Sequence, residues 1–377
     1  RRGSRVACQA KPWWAPTRIP ENSVSRLSLG ANYRGALKNA LAGLGIEMAV
    51  IKKLVALLAL LVLAAAAFFI HWARDPLMPP DSAPIEFNIA QGSSIRAAMR
   101  QVQQAGVPAS PVLMEILARG SGTRSLKAGS YRVEGGTTPL SLLDTLARGN
   151  TIKESLTIIE GWNFEQMRAE MSRHKYLRHD SAEMDMAALM EKVAPGYSFP
   201  EGLFYPDTYF FDRGTSDLLV MQQAHQRLLK MLDEAWAKRA PQLPFKEPYE
   251  ALIMASIVEK ETGAAADRER VAAVFVNRLK RGMLLQTDPT VIYGIGPSFD
   301  GNLRKVDLQT DTPYNTYMRP GLPPTPIALP GRAAMNAALN PAATDALYFV
   351  ARGDGSSEFS NNLDDHNRAV NKYQRGQ

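Results

Sequence analysis

A chain of 377 residues, 45% of them hydrophobic, has room for two or three domains and a sizeable core. Its net charge of +7 would suit nucleic acid. However, residues 1–47 hold eight Lys/Arg and two Asp/Glu, which leaves the remainder at +1, so the basic excess marks a terminal segment and no nucleic-acid partner is expected. Cys8 is the sole cysteine, and the five histidines (71, 174, 179, 225 and 366) are scattered, so neither a disulfide framework nor a metal site is expected.

Residues 1–47 show no clear period and read as a spurious or disordered extension. The stretch Met48-Ala-Val-Ile-Lys-Lys53 looks like the start of a membrane-targeted protein. Leu54–Ile70 is an apolar run that just spans a bilayer core at about 1.5 Å per residue. Lys52 and Lys53 place its N-terminal side in the cytoplasm. Ala64–Ala67 offers a signal-peptide cleavage site, but Phe68-Phe69-Ile70 carries the apolar run past it. Residues 48–73 therefore read as a retained single-pass anchor in the cell membrane, with most of the chain outside the cytoplasm.

Residues 74–84 are proline-rich and read as a stiff linker. Residues 85–150 read as a small α/β unit. It has a strand at Glu86–Ile89, a helix at Ile95–Gln104 capped by Ser94, a helix at Ser110–Ala118, a strand region at Leu126–Val133 and a helix at Pro139–Ala147. In the larger mixed α/β region, 151–377, a strand is expected at Ser155–Ile159. Helices are expected at Phe164–Met171, Ala182–Val193 and Leu218–Ala240. Between them lies Glu201-Gly-Leu-Phe-Tyr-Pro-Asp-Thr-Tyr209, whose rings and carboxylates suit either a sugar groove or a packed turn. The fold class is α+β: one transmembrane helix, a small subdomain and a larger domain.

The most informative stretch is Ala251–Gly263. Ala251–Val258 is apolar except for Ser256, has no breaker, and should form a buried helix. Glu259 shares a stripe with Leu252, Ala255 and Ser256, and Gly263 is a natural stop. Desolvation and the negative helix end would both raise the Glu259 pKa, as a general acid requires. The alternative is a surface residue paired with Lys260 or Arg268. Glu261, two positions on, should project elsewhere, toward solvent. An amphipathic helix over Val271–Arg281 follows, then a polar turn fixed by Pro289 that holds Gln286, Thr287, Asp288 and Thr290.

Ser256-Ile-Val-Glu-Lys-Glu-Thr262, Leu285-Gln-Thr-Asp-Pro-Thr290, Tyr314-Asn-Thr-Tyr317 and His366-Asn367 together resemble the YceG-like endolytic murein transglycosylases. These motifs keep their order over roughly the last third of the chain. The family usually has proline where this chain has Ile159, before Glu160-Gly161.

The resemblance implies a LysM-like unit over residues 85–150, either contacting glycan or serving as a spacer packed on the enzyme, and a catalytic domain over 151–377. It implies an inner-membrane enzyme with a periplasmic domain, acting on peptidoglycan glycan strands in step with peptidoglycan synthases. It assigns one glutamate, Glu259, as both acid and base, with no cofactor or metal. Gln286, Thr287, Asp288, Asn315, His366 and Asn367 would bind substrate or brace the site, and Asp288 is the candidate second carboxylate. Left open are a water-using muramidase and a non-catalytic glycan-binding scaffold.

Overall fold

The computed structural model describes residues 48–261 and 264–375. The expectations for residues 1–47 and for the stop at Gly263 lie outside the described residues. The chain divides after Asp75 into two compact units. In the first, Met48–Arg74 (α1) is one continuous helix, long and apolar enough to cross a membrane. Most of its aliphatic side chains are exposed, with no partner surface covering them among the described residues.

In the second unit, Ile85–Ile89 (β1) pairs antiparallel with Gly129–Val133 (β2). Helices Ile95–Gln104 (α2), Pro111–Gly120 (α3) and Pro139–Arg148 (α4) complete this subdomain. The Ser94 hydroxyl caps α2 by accepting from Ala97 N at 3.3 Å, and Thr138 and Ser141 cap α4 reciprocally. Part of the expected free linker is docked here. Leu77 N donates to Thr137 O at 2.8 Å, Gly136 N donates to Met78 O at 3.1 Å, and Met78 is buried. The two backbone bonds and the buried Met78 side chain hold the segment against the subdomain.

The larger domain begins with Lys153–Thr157 (β3), paired antiparallel with Thr208–Asp212 (β5). Between them lie Phe164–Arg173 (α5), the two-residue strand Leu177–Arg178 (β4) and Met186–Val193 (α6). Thr215–Ser216 (β6) pairs in parallel with β4. The helix expected from Ala182 starts later because Asp185 caps it, accepting from Ala188 N at 2.7 Å. The Glu201–Tyr209 segment is a packed turn: Glu201, Leu203, Phe204, Tyr205 and Tyr209 are all buried. Of the two alternatives open from sequence, a sugar groove or a packed turn, the burial of these side chains matches the packed turn.

Asp217–Ala237 (α7) leads to the central helix, Pro248–Glu261 (α8). Every residue from Ala251 to Val258 is buried. The only hydroxyl in that run is satisfied twice: Ser256 Oγ donates to Ile253 O at 2.7 Å and accepts from Ile327 N at 3.0 Å. Around α8 pack α7, Arg268–Lys280 (α9), Asp288–Ile295 (α10) and Arg332–Leu339 (α12). Pro289 does not fix a free turn; it sits in the first turn of α10, where its missing N–H costs nothing. A short helix Lys305–Gln309 (α11), a hairpin of Tyr348–Ala351 (β7) and Ser357–Ser360 (β8), and Leu363–Gln374 (α13) complete the domain.

Candidate active site

The last turn of α8 carries two carboxylates. Two helical positions correspond to about 200° of rotation, so they serve opposite sides of the helix. Glu259 faces the 327–331 segment and accepts from Gly331 N at 2.8 Å. Glu160 and Gly161 stand across from it, and Lys260 Nζ donates to Gly161 O at 3.2 Å. Burial pushes the Glu259 pKa up against the opposing Gly331 N–H, and the charge of Glu160 adds to the rise.

Glu261 does not project into solvent, which corrects the expectation from sequence. It accepts a hydrogen bond from the Thr287 hydroxyl at the N-cap of α10. Its pKa is also raised, chiefly by burial and further by Asp288, while the Thr287 bond and the charge of Arg278 oppose the rise. A partner supplied 26 positions later reverses what the polar end of the helix suggests by itself.

Three of the expected site residues, Gln286, Thr287 and Asp288, lie on the segment that meets Glu261, and a fourth, His366, is linked to that segment through Tyr348 and Arg278. Thr287 is buried, its backbone N donating to Thr316 Oγ at 3.1 Å. Asp288 accepts from the Tyr317 hydroxyl at 2.5 Å. Gln286 holds a left-handed backbone, φ 48°, and its N donates to Thr316 O at 3.1 Å. This strained geometry at a non-glycine residue is held by its neighbours. His366 stacks on Tyr348, with ring centroids 5.1 Å apart, and Arg278 lies over the same Tyr348 ring at 5.1 Å. Burial and then the Arg278 charge depress the His366 pKa, favouring neutral imidazole.

The other two stand differently. Asn315 is fully buried, and its amide is spent on the loop: Nδ2 donates to the carbonyls of Asp307, Leu308 and Thr310, and Oδ1 accepts from Tyr317 N. It shapes the segment that carries Tyr317 and has no amide group left to offer a substrate. Asn367 is exposed on α13.

Sequence reasoning gave no role to Tyr317, Arg278 or Glu261. Arg278 was findable, since it falls on the apolar stripe of Val271, Val274 and Phe275, at spacings of seven, four and three. A charge on such a stripe is either an error or a device. Among the described residues, no group of three His, Cys, Asp or Glu side chains is arranged to hold a metal ion.

A glutamate of raised pKa, at the end of a buried helix and ringed by hydroxyls, a second carboxylate and a guanidinium, is an arrangement suited to proton transfer. Residues 87–372 match the model of the YceG-like family, and the chain belongs to that family. It is 30% identical over 332 residues to the endolytic murein transglycosylase of Bacillus subtilis, covering 83% of this chain and 91% of that one. It is 26% identical to the endolytic murein transglycosylase of Streptococcus pneumoniae, over 83% of this chain but 63% of the longer relative. The crystal structure of a YceG-like protein from Listeria monocytogenes is similar at a TM-score of 0.47 and 27% identity, covering 76% of this chain and 98% of that one.

Proposed function

We propose that this protein is an endolytic peptidoglycan lytic transglycosylase, anchored in the cell membrane by α1, with Glu261 as its acid and base. The observation that carries the assignment is the convergence of Thr287, Asp288, Tyr317 and Arg278 on the Glu261 side of α8. Glu259, the candidate from sequence, instead binds a backbone N–H of a neighbouring segment. Its relatives' names supply the substrate.

In this reading neutral Glu261 donates its proton to the oxygen bridging N-acetylmuramic acid and N-acetylglucosamine. The C–O bond breaks, and positive charge develops at the anomeric carbon. Asp288, its orientation fixed by Tyr317, supports that charge. Ionised Glu261 then takes the proton of the muramyl C6 hydroxyl, whose oxygen attacks the anomeric carbon and closes a 1,6-anhydro ring. The attack is intramolecular, so no water is consumed and proximity lowers the barrier. The raised Glu261 pKa enlarges the protonated fraction that can act as the acid.

The N-terminal lysines support a cytoplasmic start and a domain on the outer face of the inner membrane, in the periplasm. Residues 85–150 are proposed as a LysM-like contact to the glycan, and peptidoglycan synthases as functional partners. The experiment is a pair of substitutions assayed on purified peptidoglycan. Glu261→Gln should lose about 10²–10⁴-fold in rate, the usual worth of acid–base catalysis, with Glu259→Gln losing much less. The reverse ranking would return the acid to Glu259.

A further inference from the structure

Arg278 is a buried cation on the apolar face of α9, and its surroundings are unusual. Among the described residues no carboxylate forms an ion pair with it. Two of its three nitrogens bond to backbone: Nε donates to Leu347 O at 2.7 Å, and one terminal nitrogen donates to Leu285 O at 2.8 Å and to Leu284 O at 3.4 Å. The first carbonyl immediately precedes β7, with its Tyr348–His366 stack. The other two immediately precede Gln286-Thr287-Asp288. One planar fork thus ties the segment that carries Thr287 and Asp288 to the one that carries Tyr348, which a point charge could not do. A buried charge left without a close counter-ion is costly, and here its field falls on Glu261, Tyr317 and Tyr348.

We propose that Arg278 is a positioning residue for the transglycosylase reaction, its planar fork holding the Gln286–Asp288 segment in register beside Glu261. This rests on the reading of Glu261 as the acid. Among the described residues, the groups facing Glu261 are Thr287 and Asp288 from α10, Tyr317 from the loop that precedes α12, and Arg278 from α9, and of these Arg278 is the cation. Desolvation and Asp288 both work toward keeping the proton on Glu261. Without an opposing charge, the glutamate would give up its proton to the leaving oxygen less readily, and Arg278 supplies that opposition.

The test uses the full-length protein in detergent and reads the pH dependence of kcat/KM on purified glycan strands. The first step requires protonated Glu261, so deprotonation of Glu261 sets the alkaline limb. Arg278→Met removes the charge and should move that limb to higher pH by about one unit. Arg278→Gln, which retains a donor for one carbonyl and guards against misfolding of the first variant, should move it likewise. Arg278→Lys keeps the charge but not the bracket, so the limb should stay while the rate at the optimum falls about tenfold or more. Full rate at the optimum in Arg278→Lys, or both neutral variants folded with the alkaline limb where it is in the unsubstituted protein, would overturn the inference. Full activity in Glu261→Gln would remove the acid assignment itself, so the two failures are distinguishable.

Discussion

Glu201 offers a quantitative test of how the catalytic domain is held together. It is 5% exposed, between the start of α5 and the middle of α10. Both carboxylate oxygens accept from Phe164 N, at 3.1 and 3.2 Å, and one also accepts from the Tyr293 hydroxyl at 3.1 Å. Burial outweighs these bonds and raises the pKa from 4.5 to about 7. Between those values the folded chain holds a proton that the unfolded chain has lost, so this group makes stability fall as pH rises. Its contribution is fully present below pH 4.5 and is lost through about pH 7, reaching about 3 kcal/mol. Glu201→Gln keeps the shape and can still accept from Phe164 N and donate to Tyr293, but it never ionises. Urea unfolding of both proteins in detergent, followed by tryptophan fluorescence at pH 5 and pH 8, gives the comparison. The difference in stability should swing by about 2.5 kcal/mol in favour of the variant on going from pH 5 to pH 8. Glu259 and Glu261 are common to both proteins and cancel. A difference that stays constant across pH would show that Glu201 titrates normally and that its burial is compensated.

Other substitutions probe other parts. Asn315→Ala leaves the Asp307, Leu308 and Thr310 carbonyls without their shared donor and should cost about 1–3 kcal/mol in thermal or urea unfolding. Activity per folded molecule should fall less than tenfold, whereas a direct role in binding substrate would show as a large rise in KM. Gly202 has φ +77°, and an added Cβ would lie 2.3 Å from Pro326 Cβ. Gly202→Ala should therefore destabilise by about 1–3 kcal/mol, measured in the same way, through both backbone strain and overpacking.

Where local chemistry decides an element, the sequence was readable. Ser94 before a periodic run marked the observed start of α2, which spans Ile95–Gln104 as expected. The apolar run from Ala251 gave the buried helix at the centre of the domain. Side-chain direction was less legible, because the partners come from distant positions. Glu259 and Glu261 differ by two residues, and helix geometry alone says only that they diverge. Which of them meets the Gln286–Asp288 segment depends on how α10 docks. Asn315 stands in a motif with Tyr317, yet it serves the loop backbone while Tyr317 holds Asp288. A residue type that suits sugar binding suits a buried turn equally well. The β7–β8 hairpin and α13 were not anticipated from pattern: the strands are four residues each, too short to show an alternation.

The claim most in need of testing is that the muramyl C6 hydroxyl, not water, attacks the anomeric carbon. Asp288 lies close enough to Glu261 to raise its pKa, so a second carboxylate is at hand for a hydrolase. Purified peptidoglycan should be digested with the unsubstituted protein in oxygen-18 water and the products resolved by mass spectrometry, with Asp288→Asn run alongside. The unsubstituted protein should yield chains ending in 1,6-anhydromuramic acid, with no new reducing end and no heavy oxygen. Asp288→Asn should yield the same products more slowly. Heavy oxygen at new reducing ends would show that water is the nucleophile and would contradict the transglycosylase mechanism.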